Sequence, residues 1–188
     1  MIAPCDRASD ISLMKLKHYD HDGRARFITF STHHRLPLLT NKRYREIVID
    51  AIRRAREAHK FRLLGYVIMP EHVHLVIVPG LEAHVGEIVG EIKMRSASAI
   101  LELIKASGQR VSPRLTVFRN GIEKSVLWQR RCYDRNCRSD EEVWEKLNYC
   151  HNNPVKRGLV SGPEKWVWSS FRWYQGDPAA VLEMDVSG

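Results

Sequence analysis

The chain has 188 residues, 44% hydrophobic and 28% charged. That balance fits one soluble globular domain with a buried core. No apolar run reaches the ~20 residues of a membrane-spanning helix, and Met-Ile-Ala-Pro-Cys-Asp-Arg lacks the basic-then-apolar layout of a signal peptide. A cytoplasmic protein without membrane contact is therefore expected. The net charge is +8, and it is concentrated. Residues 42–62 carry eight Lys and Arg against three acidic residues, and 129–138 carry Arg130, Arg131, Arg135 and Arg138 against Asp134. Basic clusters of this kind attract polyanions, nucleic acid foremost.

Residues 1–20 are polar and irregular and read as a tail. Residues 26–32 alternate and are rich in β-formers, so they predict a first strand. Asn41 caps a predicted helix running to about His59, with Tyr44, Ile47, Val48, Ala51, Ile52 and Ala55 at helical spacing. Phe61 to Met69 predicts a second strand, and Pro70-Glu71 turns it into a third that starts at His72, forming a hairpin. A second helix is expected from about His84 to Lys105, a loop over 107–121 and a strand from Ser125 to Cys137. Ser139, with Glu142 three residues on, opens a third helix through a capping box. That helix is expected to stop before Pro154, because proline disfavours helical geometry in the residue before it. An aromatic segment spans Trp166 to Tyr174, and residues 177–188 read as a second tail.

The order β-α-β-β-α-β-α is the ferredoxin-like split β-α-β pattern with an added helix. The expectation is one α+β domain over residues 21–176: an antiparallel sheet, helices on one face, and an added C-terminal helix.

Two features carry chemistry. His72 and His74 lie two residues apart in an apolar, β-branched run, so they project side by side from one face of a strand. Two imidazoles on one rigid strand can chelate a divalent metal; a hydrogen-bonded histidine pair is the alternative. In the third helix, Val143, Leu147 and Cys150 form one arc at about 100° per residue, flanked by Trp144 and His151. That arc packs on the sheet. Tyr149 lies well off it, one turn before Asn153 on the same side. If that side faces the histidines, the site joins two imidazoles, an amide oxygen and a phenol. A metal held by the first three would act as a Lewis acid on a phosphate, and the phenol would be the nucleophile. A tyrosyl ester keeps the energy of the phosphodiester, so a strand can be rejoined without ATP. The four cysteines, Cys5, Cys132, Cys137 and Cys150, match no zinc spacing and read as free thiols in a reducing compartment.

With these motifs in place, the chain resembles the REP-associated tyrosine transposases of the single-tyrosine HUH superfamily. The resemblance covers about residues 24–175. It rests on Leu64-Gly-Tyr-Val-Ile-Met-Pro-Glu-His-Val-His74, Trp128-Gln-Arg-Arg-Cys-Tyr-Asp134, Glu145-Lys-Leu-Asn-Tyr-Cys-His-Asn-Asn-Pro-Val-Lys-Arg-Gly-Leu-Val160 and Pro163-Glu-Lys-Trp-Val-Trp-Ser-Ser170, in the family's order. Cys132 and Cys137 depart from it, standing where relatives tend to carry larger apolar residues. The resemblance implies His72 and His74 as metal ligands with Asn153 as the third, and Tyr149 as the nucleophile. It implies a 5′-phosphotyrosine link, a free 3′-hydroxyl, and single-stranded DNA beside a hairpin as substrate. The implied cofactor is Mg2+ or Mn2+; manganese suits imidazole better, since magnesium prefers oxygen. This branch includes monomers while the wider superfamily acts as dimers, so monomer and homodimer both stand.

Arg130, Arg131, Lys156 and Arg157 flank the expected site in sequence and are candidates for phosphate contacts. Trp128 and Tyr133 are candidates for stacking on unpaired bases, core packing being the alternative for each. Trp166 and Trp168 are expected to pack the C-terminal segment on the body. Two competing functions are a hairpin-binding regulator that does not cut and a metal hydrolase that uses water in place of Tyr149.

Overall fold

The computed structural model describes residues 24–80 and 82–185; the segment expected as an N-terminal tail lies outside them. Four strands form one antiparallel sheet: β1 (Arg26–Ser31), β2 (Arg62–Ile68), β3 (His72–Val78) and β6 (Tyr133–Asn136), in the order β2-β3-β1-β6. β3 is central and every one of its residues is buried, as its unbroken apolar run requires. The order, with the β2–β3 hairpin split so that β1 sits beside β3, is the expected ferredoxin-like arrangement.

Register assigns the faces. Thr29 pairs with His74, and His74 with Val67; Phe27 pairs with Val76, and Val76 with Gly65. Directly opposed residues share a face, so His72, His74, Thr29, Phe27 and Gly65 lie on one side. Ile28, Phe30, Leu75 and Ile77 lie on the other.

The second face is covered by α1 (Lys42–His59) and α2 (Val85–Ala106), packed side by side. The Asn41 side chain accepts from the Arg43 N–H at 2.9 Å, the expected cap, and Lys60 ends α1 in the left-handed region. The histidine face is covered by α3 (Asp140–Lys156), whose buried residues include Val143, Leu147, Cys150 and His151. That is the arc the periodicity predicted. Gly65 makes the close approach possible: a Cβ there would collide with the Leu147 side chain.

Several expectations need correction. Residues 107–121 are not a plain loop. A second, two-stranded sheet runs from β4 (Thr116–Arg119) through Asn120-Gly121 to β5 (Ile122–Ser125). Asn120 and Gly121 have φ of 52° and 74°, the geometry that makes Asn-Gly a hairpin turn. The strand expected from Ser125 to Cys137 is only the last part of that range, β6. Finally, α3 does not stop before Pro154 but continues to Lys156. Asn153 and Pro154 are both buried, so packing overrides the local preference, and a proline near the helix end removes few bonds.

The Trp166–Tyr174 segment packs on the body as expected. The Trp166 indole N–H donates to Ile68 O at 3.1 Å, and the Arg45 guanidinium lies 4.8 Å from the Trp166 ring and 5.5 Å from that of Trp168. The short helix α4 (Phe171–Tyr174) follows. Residues 177–185, expected as a tail, bury Leu182 and Met184. The Leu63 N–H donates to the Asp185 carboxylate at 2.7 Å, fastening this stretch to the start of β2.

Candidate active site

A cleft of about 430 Å³ opens on the histidine face, between the sheet and the end of α3. His72 and His74 form its floor and are each only 4% exposed. Their Nε2 atoms lie 2.9 Å apart. The outer nitrogens are occupied: His72 Nδ1 is 3.1 Å from Glu71 Oε1, and His74 Nδ1 is 2.7 Å from Thr29 Oγ1. Burial drives both imidazoles to the neutral form. It lowers His72 against the opposing pull of Glu71, and it pushes His74 down to about 3, with His72 and Arg35 adding to the effect. Burial also opposes ionisation of Glu71, yet the hydrogen bond from His72 and the adjacent Arg157 guanidinium hold its carboxyl below the usual range.

These contacts fix the tautomer of His72 and leave two open to His74. A carboxylate only accepts, so His72 Nδ1 carries its proton and donates it to Glu71, leaving the Nε2 lone pair towards the cleft. His74 has two states. Its Nε2–H can donate to His72, with the Thr29 hydroxyl donating to Nδ1. Alternatively Nδ1–H donates to Thr29, and both Nε2 lone pairs converge. The second state suits a cation, and 2.9 Å is close to the ~3 Å expected between neighbouring ligand atoms at ~90° in an octahedral site with bonds of ~2.1 Å. Among the described residues no third His, Cys, Asp or Glu completes a cluster. Asn153 is buried with its amide nitrogen 3.3 Å from His74 Nε2, and turning the amide over presents its oxygen instead. Two imidazoles and an amide fit a divalent metal, with open positions for oxygen ligands.

Tyr149 stands at the edge of this floor, 41% exposed. Its ring is edge-on to His74 at 5.2 Å and to Phe27 at 5.8 Å, and the Lys156 ammonium lies 5.7 Å from its centre. The helical spacing that separated Tyr149 from the packing arc thus delivers it, with Asn153, into the cleft.

The other sequence candidates divide. Lys156, Arg157 and Tyr133 line the cleft; Tyr133 is 53% exposed and packs edge-on against Phe27 at 6.4 Å. Arg130 and Arg131 are exposed on the loop before β6 and do not line it. The Lys93 ammonium, from α2, donates to their carbonyls at 3.4 and 3.3 Å. Trp128 is a core residue, 7% exposed. It packs edge-on to Phe30 at 5.0 Å and donates to Ser96 Oγ on α2 at 3.0 Å, across the sheet from the histidines. Stacking on bases is excluded for it by burial.

Glu71, Arg35 and Thr29 were missed as site residues. Glu71 directly precedes His72, a signal that was available; Thr29 needed the β1–β3 register; nothing local marks Arg35.

Comparison with known proteins gives the family. The family model described as "Transposase IS200 like" matches residues 25–152. A REP-associated tyrosine transposase of Escherichia coli K12 is 22% identical over 160 residues, covering 85% of this chain and 83% of its own. A Haemophilus influenzae protein assigned to the same class is 24% identical over 142 residues, covering 71% and 76%. A solved structure described as a REP-associated tyrosine transposase bound to a REP hairpin shares the fold. Its TM-score is 0.62 at 21% identity, covering 93% of this chain and 96% of that one. The chain belongs to the IS200-like transposase family, and within it resembles the REP-associated tyrosine transposases.

Proposed function

We propose that this protein is a metal-dependent DNA strand transferase that cleaves and rejoins single-stranded DNA beside a hairpin, with Tyr149 as the nucleophile. The observation that carries the reading is the juxtaposition of Tyr149 with the converging imidazoles. A half-exposed phenol stands 5.2 Å, ring to ring, from His74 in a cleft edged by Lys156 and Arg157. The REP hairpin named with the solved relative supports hairpin DNA as the partner.

The chemistry balances without an external energy source. The Tyr149 oxygen bonds to phosphorus as the P–O3′ bond breaks; the phenol gives up a proton and O3′ takes one up. The products are a 5′-phosphotyrosine and a 3′-hydroxyl, and attack by a 3′-hydroxyl reverses the step. A divalent cation held by His72, His74 and Asn153, Mn2+ or Mg2+, would supply Lewis-acid polarisation of the phosphate. Glu71 and Thr29 hold the imidazoles in register for it. Lys156 contributes positive charge beside the Tyr149 ring, and Tyr133 with Phe27 offers an aromatic surface to an unpaired base.

The test is a denaturing gel of purified protein with hairpin-bearing single-stranded oligonucleotides, with Mn2+ or with chelator. A metal-dependent covalent adduct that is lost in Tyr149→Phe establishes the reading. Binding without an adduct turns it into a non-cleaving regulator. Cleavage that survives Tyr149→Phe makes it a hydrolase using water.

A further inference from the structure

The turn after β1 is strained, and the strain delivers one side chain to the cleft. His34 and Arg35 both have φ of 52°. Successive non-glycine residues in the left-handed region are uncommon and persist only where the surroundings over-determine them. Here they do. The Arg35 N–H donates to Thr32 O at 2.9 Å, the Leu36 N–H to His33 O at 3.1 Å and the His33 N–H to Leu127 O at 2.7 Å. The buried Thr32 hydroxyl donates to Leu36 O at 2.6 Å.

The turn swings Arg35 towards β3. Its Nη2 lies 3.2 Å from Glu71 Oε1 and its Nη1 3.3 Å from Ser31 Oγ. Arg157, arriving from the end of α3, places Nη1 3.0 Å from the same Glu71 oxygen. Glu71 is buried, but the two arginine side chains are 54% and 52% exposed and both line the cleft. The bonds named here use two of the five N–H groups of Arg35 and one of those of Arg157. One carboxylate cannot balance the positive charge of Arg35, Lys156 and Arg157 together. The arrangement calls for an anion.

We propose that Arg35 and Arg157, joined through Glu71, form a two-guanidinium clamp for a DNA phosphate flanking the scissile one. Guanidinium forks suit phosphate oxygens. Glu71 binds the Nδ1 side of His72, away from the Nε2 pair, so the clamped phosphate is displaced from the one Tyr149 attacks. The clamp positions the strand and reads no base. It rests on the strand-transferase reading above.

The experiment measures binding of a hairpin-bearing single-stranded oligonucleotide in chelator, so that no cleavage intervenes. Phosphates are replaced one at a time by neutral methylphosphonate. For the natural protein, one position beside the cleavage point should weaken binding about tenfold, the worth of a charged hydrogen-bonded contact. Arg35→Gly should weaken binding to the natural strand by a similar factor and become indifferent to that methylphosphonate. Glycine accepts the left-handed turn freely, so Arg35→Gly should melt no lower than the natural protein, and a folding defect is separated from a binding one. Arg35→Lys, which keeps the charge and loses the fork, should recover binding in part. Natural-strand binding unchanged in Arg35→Gly, or losses that add at every position, would overturn the clamp. If that happens while the Tyr149 adduct still forms, only the clamp fails; if the natural protein neither binds the hairpin strand nor forms an adduct, both readings fail.

Discussion

The Nε2 atoms of His72 and His74 face each other at 2.9 Å, while Glu71 and Thr29 hold the opposite nitrogens of the two rings. Two neutral imidazoles so arranged either share a proton or accept a cation. Mn2+ should therefore raise the melting temperature of the protein in a concentration-dependent way, because a ligand that binds only the folded state stabilises it. His74→Ala should abolish the shift. Glu71→Gln, which loosens the hold on His72, should weaken Mn2+ binding by about 10–100-fold. A shift that persists in His74→Ala would place the metal elsewhere.

Gly65 sets how closely α3 approaches the sheet. An added Cβ would strike the Leu147 side chain and lie 3.2 Å from Ser170 Oγ. Gly65→Ala should cost about 1–3 kcal/mol in urea unfolding, the usual cost of overpacking a core. It should also impair adduct formation, since Tyr149 and Asn153 ride on the same helix. Adding Leu147→Ala should restore part of the adduct yield by making room.

Trp128 and Tyr133 lie five residues apart in the chain but on opposite sides of the sheet. Trp128→Ala should cost about 3–5 kcal/mol of stability as a core truncation. Tyr133→Ala should leave the melting temperature nearly unchanged. It should weaken single-stranded DNA binding by about 1–3 kcal/mol, as expected for a lost stacking partner. Thermal melts and binding isotherms on both variants check the contrast; equal stability losses would make Tyr133 a packing residue too.

His151 makes stability pH-dependent. It is 1% exposed, its Nε2 lies 2.9 Å from Ser170 Oγ, and burial lowers its pKa from 6.5 to about 4. Between those values the unfolded chain binds a proton that the folded chain does not, so stability is complete above ~6.5 and falls as pH drops towards ~4. The expected loss is about 2 kcal/mol at pH 5 and about 3 kcal/mol at pH 4. Urea unfolding at pH 7 and pH 5 should show the fall, and His151→Gln should flatten it. His74 acts in the same direction, so some slope should survive in that variant.

The local patterns that proved readable share a cause. Strand alternation and helical spacing report which side chains face the same way within one element, and that relation holds before the chain folds. It placed His72 beside His74 and put Tyr149 with Asn153 off the packing arc. Local signals fall short where they are brief or where packing overrules them. Asn120-Gly121 turns a hairpin inside a stretch whose composition predicts a loop, and Pro154 sits inside α3 because its burial outweighs the local preference.

The sequence by itself determined the ferredoxin-like order of elements, the placing of His72 beside His74 on one strand face, and the helix that carries Tyr149. Only the tertiary structure decided which face of the sheet each element covers. Strand register and helix docking set that, and neither is written in local periodicity. The fold therefore buried Trp128 against α2 and left Arg130 and Arg131 outside the cleft. It also brought Arg35, 36 residues before Glu71 and on a turn with no sequence signature, onto the same carboxylate oxygen as Arg157.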